Sequence, residues 1–261
     1  LLGEYESIVS SNGSTTSPPQ PSGPDDEEQD DTPPDYDVLV RLLGDITVDG
    51  DRPLKPKATA VVAYIALKRS VSTERLEEAC WFGSDGVSHI KRLHDTMTEA
   101  RAAIGSQHLP ANRKGTYIAG PRLRTDLEVF DWHVHRAANL EPAAAIVHYR
   151  AALDLVTGKP FTYANVARNS YGWVDFEHYA TTWEQRVAGI AQACSAIQLD
   201  LGEAVEAISM LRGIAHAIPL NSGVVESLMR AHIADDDRAG AENVYKEHAA
   251  ALAQAKLGDP A

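Results

Sequence analysis

Only two cysteines occur in the 261-residue chain, Cys80 and Cys194, far apart and in apolar contexts. That scarcity argues against a disulfide framework and for a reducing compartment. No apolar run approaches the ~20 residues of a membrane span, and no signal peptide is visible. Nucleophile signatures are missing as well: there is no Gly-x-Ser-x-Gly elbow, no Gly-rich loop followed by Lys-Ser/Thr and no Cys-x-x-Cys. The expectation is a cytoplasmic non-enzyme without a cofactor. Because the chain begins Leu1-Leu2-Gly3, it reads as the C-terminal portion of a longer protein, and the parent could be membrane-anchored.

Positive charge is absent from residues 1–37, which hold ten acidic side chains and no Lys or Arg. Residues 10–34 are Ser, Thr, Pro, Gly, Asp and Glu with almost nothing apolar, so 1–37 reads as a disordered acidic linker. Its run Asp25 to Asp31 is either a solvated spacer or a mimic of DNA. The next block, residues 38–125, has fourteen Lys/Arg against nine Asp/Glu; residues 126–261 have ten against eighteen. The formal net charge of -13 therefore hides a locally basic segment between acidic neighbours.

With 44% hydrophobic residues the chain can bury two modest cores. Val38 to Leu43 alternates as a strand, Ile46-Thr47-Val48 follows, and Asp49-Gly50 marks a hairpin turn. Val61, Tyr64, Ile65 and Leu67 recur at helical spacing from Lys57 to about Arg69. Ser72 is a plausible cap for a second helix with Leu76, Ala79 and Cys80, and Gly83 to Gly86 breaks the chain. A third helix places Ile90, Leu93, Met97, Ala100 and Ile104 on one stripe and stops at Gly105. A closing hairpin pairs Tyr117-Ile118 with Leu123-Arg124. Short strands, three helices and a terminal hairpin are the layout of a winged helix.

Beyond Asp126 the pattern is helical. Asp126 can cap a helix with Val129, Phe130 and Val134, and Pro142 opens another that ends by Gly158. Lys159 to Asn169 is a loop, and a long helix runs from about Tyr171 to Leu201. Ala204 to Ala207 and Arg238 to Ala241 are offset by 34 positions, the period of a tetratricopeptide helix pair. The predicted fold is mainly α: a winged helix-turn-helix over 38–125, then all-α tetratricopeptide-like helices over 126–261.

These words resemble the Streptomyces antibiotic regulatory protein type of regulator, a winged helix followed by a bacterial transcriptional activator domain. The likeness is carried by Val40 to Gly50, Ala63 to Leu67, Leu76 to Trp81, Ala100 to Gly105, Gly115 to Ile118 and Thr125 to Phe130. In the helical half it continues in Ala152 to Phe161 and Pro219 to Tyr245. The resemblance implies a DNA-binding transcriptional regulator whose helical domain mediates dimerisation or meets the transcription machinery. Ser170 to His178 is similar instead to a version at the cytoplasmic end of actinobacterial membrane proteins. The rival reading is accordingly a protein-interaction or signal-receiving cytosolic module with a degenerate DNA-binding domain.

For the first reading the DNA-facing set is Lys91, Arg92, Thr98 and Arg101 on the third helix and Arg113-Lys114 on the following turn. Asp95 and Glu99 on that helix would face phosphates and weaken binding. Trp173, Phe176, Tyr179 and Trp183 recur every three or four residues, as core or as a stripe for a partner, and any small-molecule or peptide groove is expected between this helix and the Lys159–Asn169 loop. His133 and His135 point to different helix faces and cannot share a metal unaided; His89 and His94 do no better. No metal is expected, and this segment is not expected to touch a membrane.

Overall fold

The computed structural model describes residues 32–81, 89–163 and 169–257, so the acidic run Asp25 to Asp31 and the break at Gly83 to Gly86 lie outside the described residues. Strand β1 (Val38–Arg41) sits between β2 (Thr47–Val48), which it pairs antiparallel, and β5 (Leu123–Thr125), which it pairs parallel. The second sheet joins β3 (Ser70–Ser72) to β4 (Thr116–Ile118). Two expectations change here. Tyr117 pairs with Val71 and Leu123 with Val38, so the two C-terminal strands do not form a hairpin with each other. The reversal after β1 lies within Leu42 to Ile46, while Asp49-Gly50 follows β2 on the way to the first helix.

Helix α1 (Pro56–Lys68) starts at a proline, whose missing N–H costs nothing in the first turn. All nine residues from Ala58 to Ala66 are buried, because α1 is covered by both sheets, α2 (Thr73–Cys80) and α3 (Ile90–Ile104). Ser72 caps α2 by accepting from the Arg75 amide, and Gly105 ends α3 at φ +91°, a left-handed value. Leu93, Met97, Ala100 and Ile104 are buried on α3 as the periodicity predicts. Ile90 is not: it is 46% exposed, since the preceding His89 turns inward to stack on Trp81.

Thr125 ends β5 and caps α4 (Asp126–Ala138) through a reciprocal capping box with Glu128. The expected cap, Asp126, has a different task. Its buried carboxylate accepts from the amides of Leu42 and Leu43, tying α4 to the end of β1. Burial pushes this carboxyl up to about 6, against the pull of those amides. The Leu42 to Ile46 turn is clasped from outside by the backbone of Thr157 to Thr162. Gly44 makes the approach feasible, for a Cβ there would lie 2.2 Å from Thr157 Oγ1.

Helices α5 (Pro142–Leu153), α6 (Gly172–Phe176), α7 (Tyr179–Asp200), α8 (Ala204–Ala217), α9 (Ser222–Ala234) and α10 (Arg238–Leu257) complete the order. The long helix expected from Tyr171 is broken into α6 and α7 at Glu177 and His178, the latter at φ +55°. The 34-residue offset is visible: Ala204 and Arg238 each open a helix, and Ala207 and Ala241 are buried in equivalent phase. Leu211 is buried but its counterpart Tyr245 is 61% exposed. One apolar cluster runs from Val38 to Val244 through both halves. Among the described residues, no helix is long and apolar enough to cross a membrane.

Candidate nucleic-acid interface

Helix α3 packs on α1 and α2 and leaves one face open, where Lys91, Arg92, His94, Asp95, Thr98 and Ala102 are all exposed. Its N-terminus is fixed by neighbours rather than by a side-chain cap. The His89 amide donates to Glu77, and the His89 ring stacks on Trp81 at 5.7 Å, with Lys57 over that indole at 4.6 Å. Arg92 reaches back to His89 Nδ1 at 3.4 Å. Thr98 donates its hydroxyl to the His94 carbonyl at 2.9 Å, leaving its oxygen able to accept.

The two carboxylates that opposed a DNA role differ. Glu99 pairs with Lys55 at 3.2 Å and is half-buried, so a cation already sits beside it. Asp95 is exposed and makes no ion pair among the described residues. Neither do Lys91, Arg92, Arg113 and Lys114, so these four cations carry no ion pair among the described residues.

Arg101 is placed otherwise than expected. Its guanidinium donates from Nε to the Leu109 carbonyl at 2.7 Å and from Nη2 to the Pro110 carbonyl at 3.0 Å. That commits it to holding the segment after α3, not to reading a base. The segment ends in a two-residue turn: Arg113 and Thr116 exchange both backbone hydrogen bonds at 3.0 and 3.1 Å, with Lys114 at φ +52° and Gly115 at φ +81° between them. Two consecutive left-handed residues are what a tight twisted hairpin demands. Asn112 and Thr73 bolt the turn to the start of α2: the Gly115 amide donates to Asn112 Oδ1, Asn112 donates to Thr73 Oγ1, and the Thr73 amide donates to the Gly115 carbonyl. The tip thus carries Arg113 and Lys114 outward on a braced frame.

The aromatic set divides by burial. Trp173 is 2% exposed, packed against Tyr64 at 5.3 Å and Phe161 at 6.2 Å, and Trp183 meets Phe130 edge-on at 5.6 Å. Both are core, because α6 and α7 turn them toward α1 and α4. Tyr179 is half-buried on Phe161. Phe176 alone of the four is well exposed, at 64%, beside a cavity of about 260 Å³ lined also by Tyr64, Arg75, Glu78 and Trp173. Thr162 and Tyr163 of the 159–169 loop do not line a groove against the aromatic helix: with Tyr171 they face Pro53, Leu54, Pro56 and the β1–β2 turn across a groove of about 590 Å³.

Periodicity gave no signal for Glu177, the residue that joins these parts. Its carboxylate accepts from Tyr64, Lys68 and Tyr179 and lies 3.4 Å from Arg75 Nη2. Burial raises its pKa, but the hydrogen bonds from Lys68 and Tyr179 and the Lys68 charge outweigh that and leave the carboxyl below its ordinary value. The buried thiols of Cys80 and Cys194 are pushed up to about 12 and about 11 by desolvation, so neither is a nucleophile at neutral pH. His133 does not meet His135; instead its Nδ1 lies 3.1 Å from Nδ1 of His148 on α5. His89 is buried and His94 exposed.

No curated protein matches the chain. A solved structure of Mycobacterium tuberculosis EmbR in complex with a low affinity phosphopeptide is similar at 22% identity and a TM-score of 0.59, covering 86% of this chain. The present chain spans 62% of that one, and the likeness is one of fold. The model of the bacterial transcriptional activator domain matches residues 125–260, more than half of the sequence. From α4 onward its helices are those of this domain, and the chain belongs to the bacterial transcriptional activator domain family.

Proposed function

We propose that this regulator binds DNA through residues 38–125, with α3 in the major groove and the Arg113-Lys114 tip against the backbone, while residues 126–261 contact a protein partner or a second copy. The observation that carries the reading is the open α3 face, whose Lys91 and Arg92 have no carboxylate partner among the described residues. Free cations at the leading end of a reading helix supply phosphate contacts, and these dominate affinity. Thr98 and His94, further along the same face, are the candidates for base edges. The net charge of -13 does not oppose this, since a phosphate one Debye length away, about 8 Å in physiological salt, senses mainly local charge.

The test is a fluorescence-anisotropy titration against fragments of the host genome at several salt concentrations. Lys91→Ala with Arg92→Ala should weaken binding to all sequences and flatten the slope of log K against log salt by about 2. Wild-type binding no tighter than that of an unrelated acidic protein ends the proposal.

A second reading, an adaptor using its helical half, is favoured by a groove of about 590 Å³ between α8 and α10. Arg212, His216 and His248 line it together with Glu247, a polar mixture suited to an extended peptide.

A further inference from the structure

Helices α4 and α5 carry two histidines that face each other. Nδ1 of His133 and Nδ1 of His148 are 3.1 Å apart, with ring centroids at 5.4 Å and planes inclined by 44°. Two imidazole nitrogens on one metal, each about 2.0–2.1 Å from it, are separated by about 2.9 Å at a right angle and about 3.3 Å at the tetrahedral angle. The observed gap falls between those limits. We propose that His133 and His148 form a two-histidine site for a borderline transition-metal ion of the Zn2+, Cu2+ or Ni2+ class.

The chemistry of the donors sets the class: imidazole suits these ions, whereas Mg2+ and Ca2+ require oxygen ligands. Both rings are only half-buried, so the remaining positions are open to water or to a ligand from another molecule. Among the described residues no third His, Cys, Asp or Glu joins the pair. Nearby Asp131 is engaged by Arg186 at 2.7 Å. Without metal the same spacing accommodates one N–H···N bond between two neutral rings. On binding, the donating ring moves its proton to Nε2 by exchange with water, both Nδ1 lone pairs turn to the metal, and no net proton is released.

Trp132 lies against both rings, at 4.9 Å from His133 and 5.6 Å from His148, and so reports on the site. Calorimetric titration of the untagged chain with ZnCl2 should show one equivalent bound. His133→Gln and His148→Gln should each weaken it at least about tenfold, and His135→Gln should leave it unchanged. CuCl2 should quench tryptophan emission, with the amplitude falling in Trp132→Phe. Absence of Zn2+ binding, or wild-type affinity in His148→Gln, overturns the site. Where a histidine variant loses its fold, electron paramagnetic resonance of the wild-type Cu2+ complex decides: two coordinated imidazoles support it, and one or none refutes it.

Discussion

The carboxylate of Asp126 lies 2.9 Å from the backbone nitrogen of Leu42, a residue 84 positions earlier in the chain. It accepts from Leu43 at the same distance, so one buried side chain satisfies two amides just past the end of β1. Asp126→Ala strands both donors in the core and should cost about 2–5 kcal/mol in chemical denaturation. Its pH dependence has a definite sign. The folded carboxyl titrates at about 6, above its unfolded value, so its contribution is fully present below about 4 and is lost as pH rises through 6. The stability of the wild type relative to Asp126→Asn should therefore grow on acidification from pH 7 to 4, by on the order of 1–3 kcal/mol. A gap that stays constant over that range refutes the assignment.

Arg101 is expected to act as a brace. Arg101→Met retains the aliphatic stem but removes both bonds to the Leu109 and Pro110 carbonyls, and should cost about 1–3 kcal/mol. Exchange of the Gly115 and Thr116 amides should quicken, since their frame loosens. A cation used only to read DNA would leave apo stability untouched, so thermal unfolding separates the two roles.

Asp95 is the exposed carboxylate on the open face of α3 without an ion pair among the described residues. Asp95→Asn should tighten binding to any DNA by on the order of 0.5–1 kcal/mol in low salt, with the gain shrinking as salt rises. Equal or weaker binding would mean that the carboxylate faces a base amino group instead of a phosphate.

Glu177→Gln should destabilise by about 1–3 kcal/mol, because the hydroxyls of Tyr64 and Tyr179 and the Lys68 ammonium all converge on that carboxylate. Its folded pKa is depressed, so its contribution is present above the ordinary carboxylate range and is lost as pH falls through the folded value. Trp173→Ala, by contrast, empties a core site and should cost about 3–5 kcal/mol at any pH. Phe176→Ala, on an exposed ring, should stay within about 0.5 kcal/mol. Urea midpoints for the three proteins test the ordering.

What could be read from the sequence was local. Ser72 as a cap, Pro142 at a helix start, Gly105 as a stop and the Leu93/Met97/Ala100 stripe all act within a turn or two of their own position. Strand partners were not legible. Three-residue strands such as Thr116–Ile118 and Leu123–Thr125 carry no register, and theirs is set by Ser70–Ser72 and Val38–Arg41 far upstream. The break at His178 was hidden for a similar reason: no Gly or Pro marks it, and Glu177 is drawn in by side chains over a hundred residues away. In the candidate site, the exposure of Lys91 and Arg92 followed from periodicity, but the capture of Arg101 by carbonyls beyond its own helix did not.

Thr125 is both the last residue of a strand inside the first sheet and the cap of the helix that opens the C-terminal half. No residue between the two is left free to rotate. Strand and helix are thus joined without a connector, and any displacement of the start of α4 is also a displacement of the end of β5.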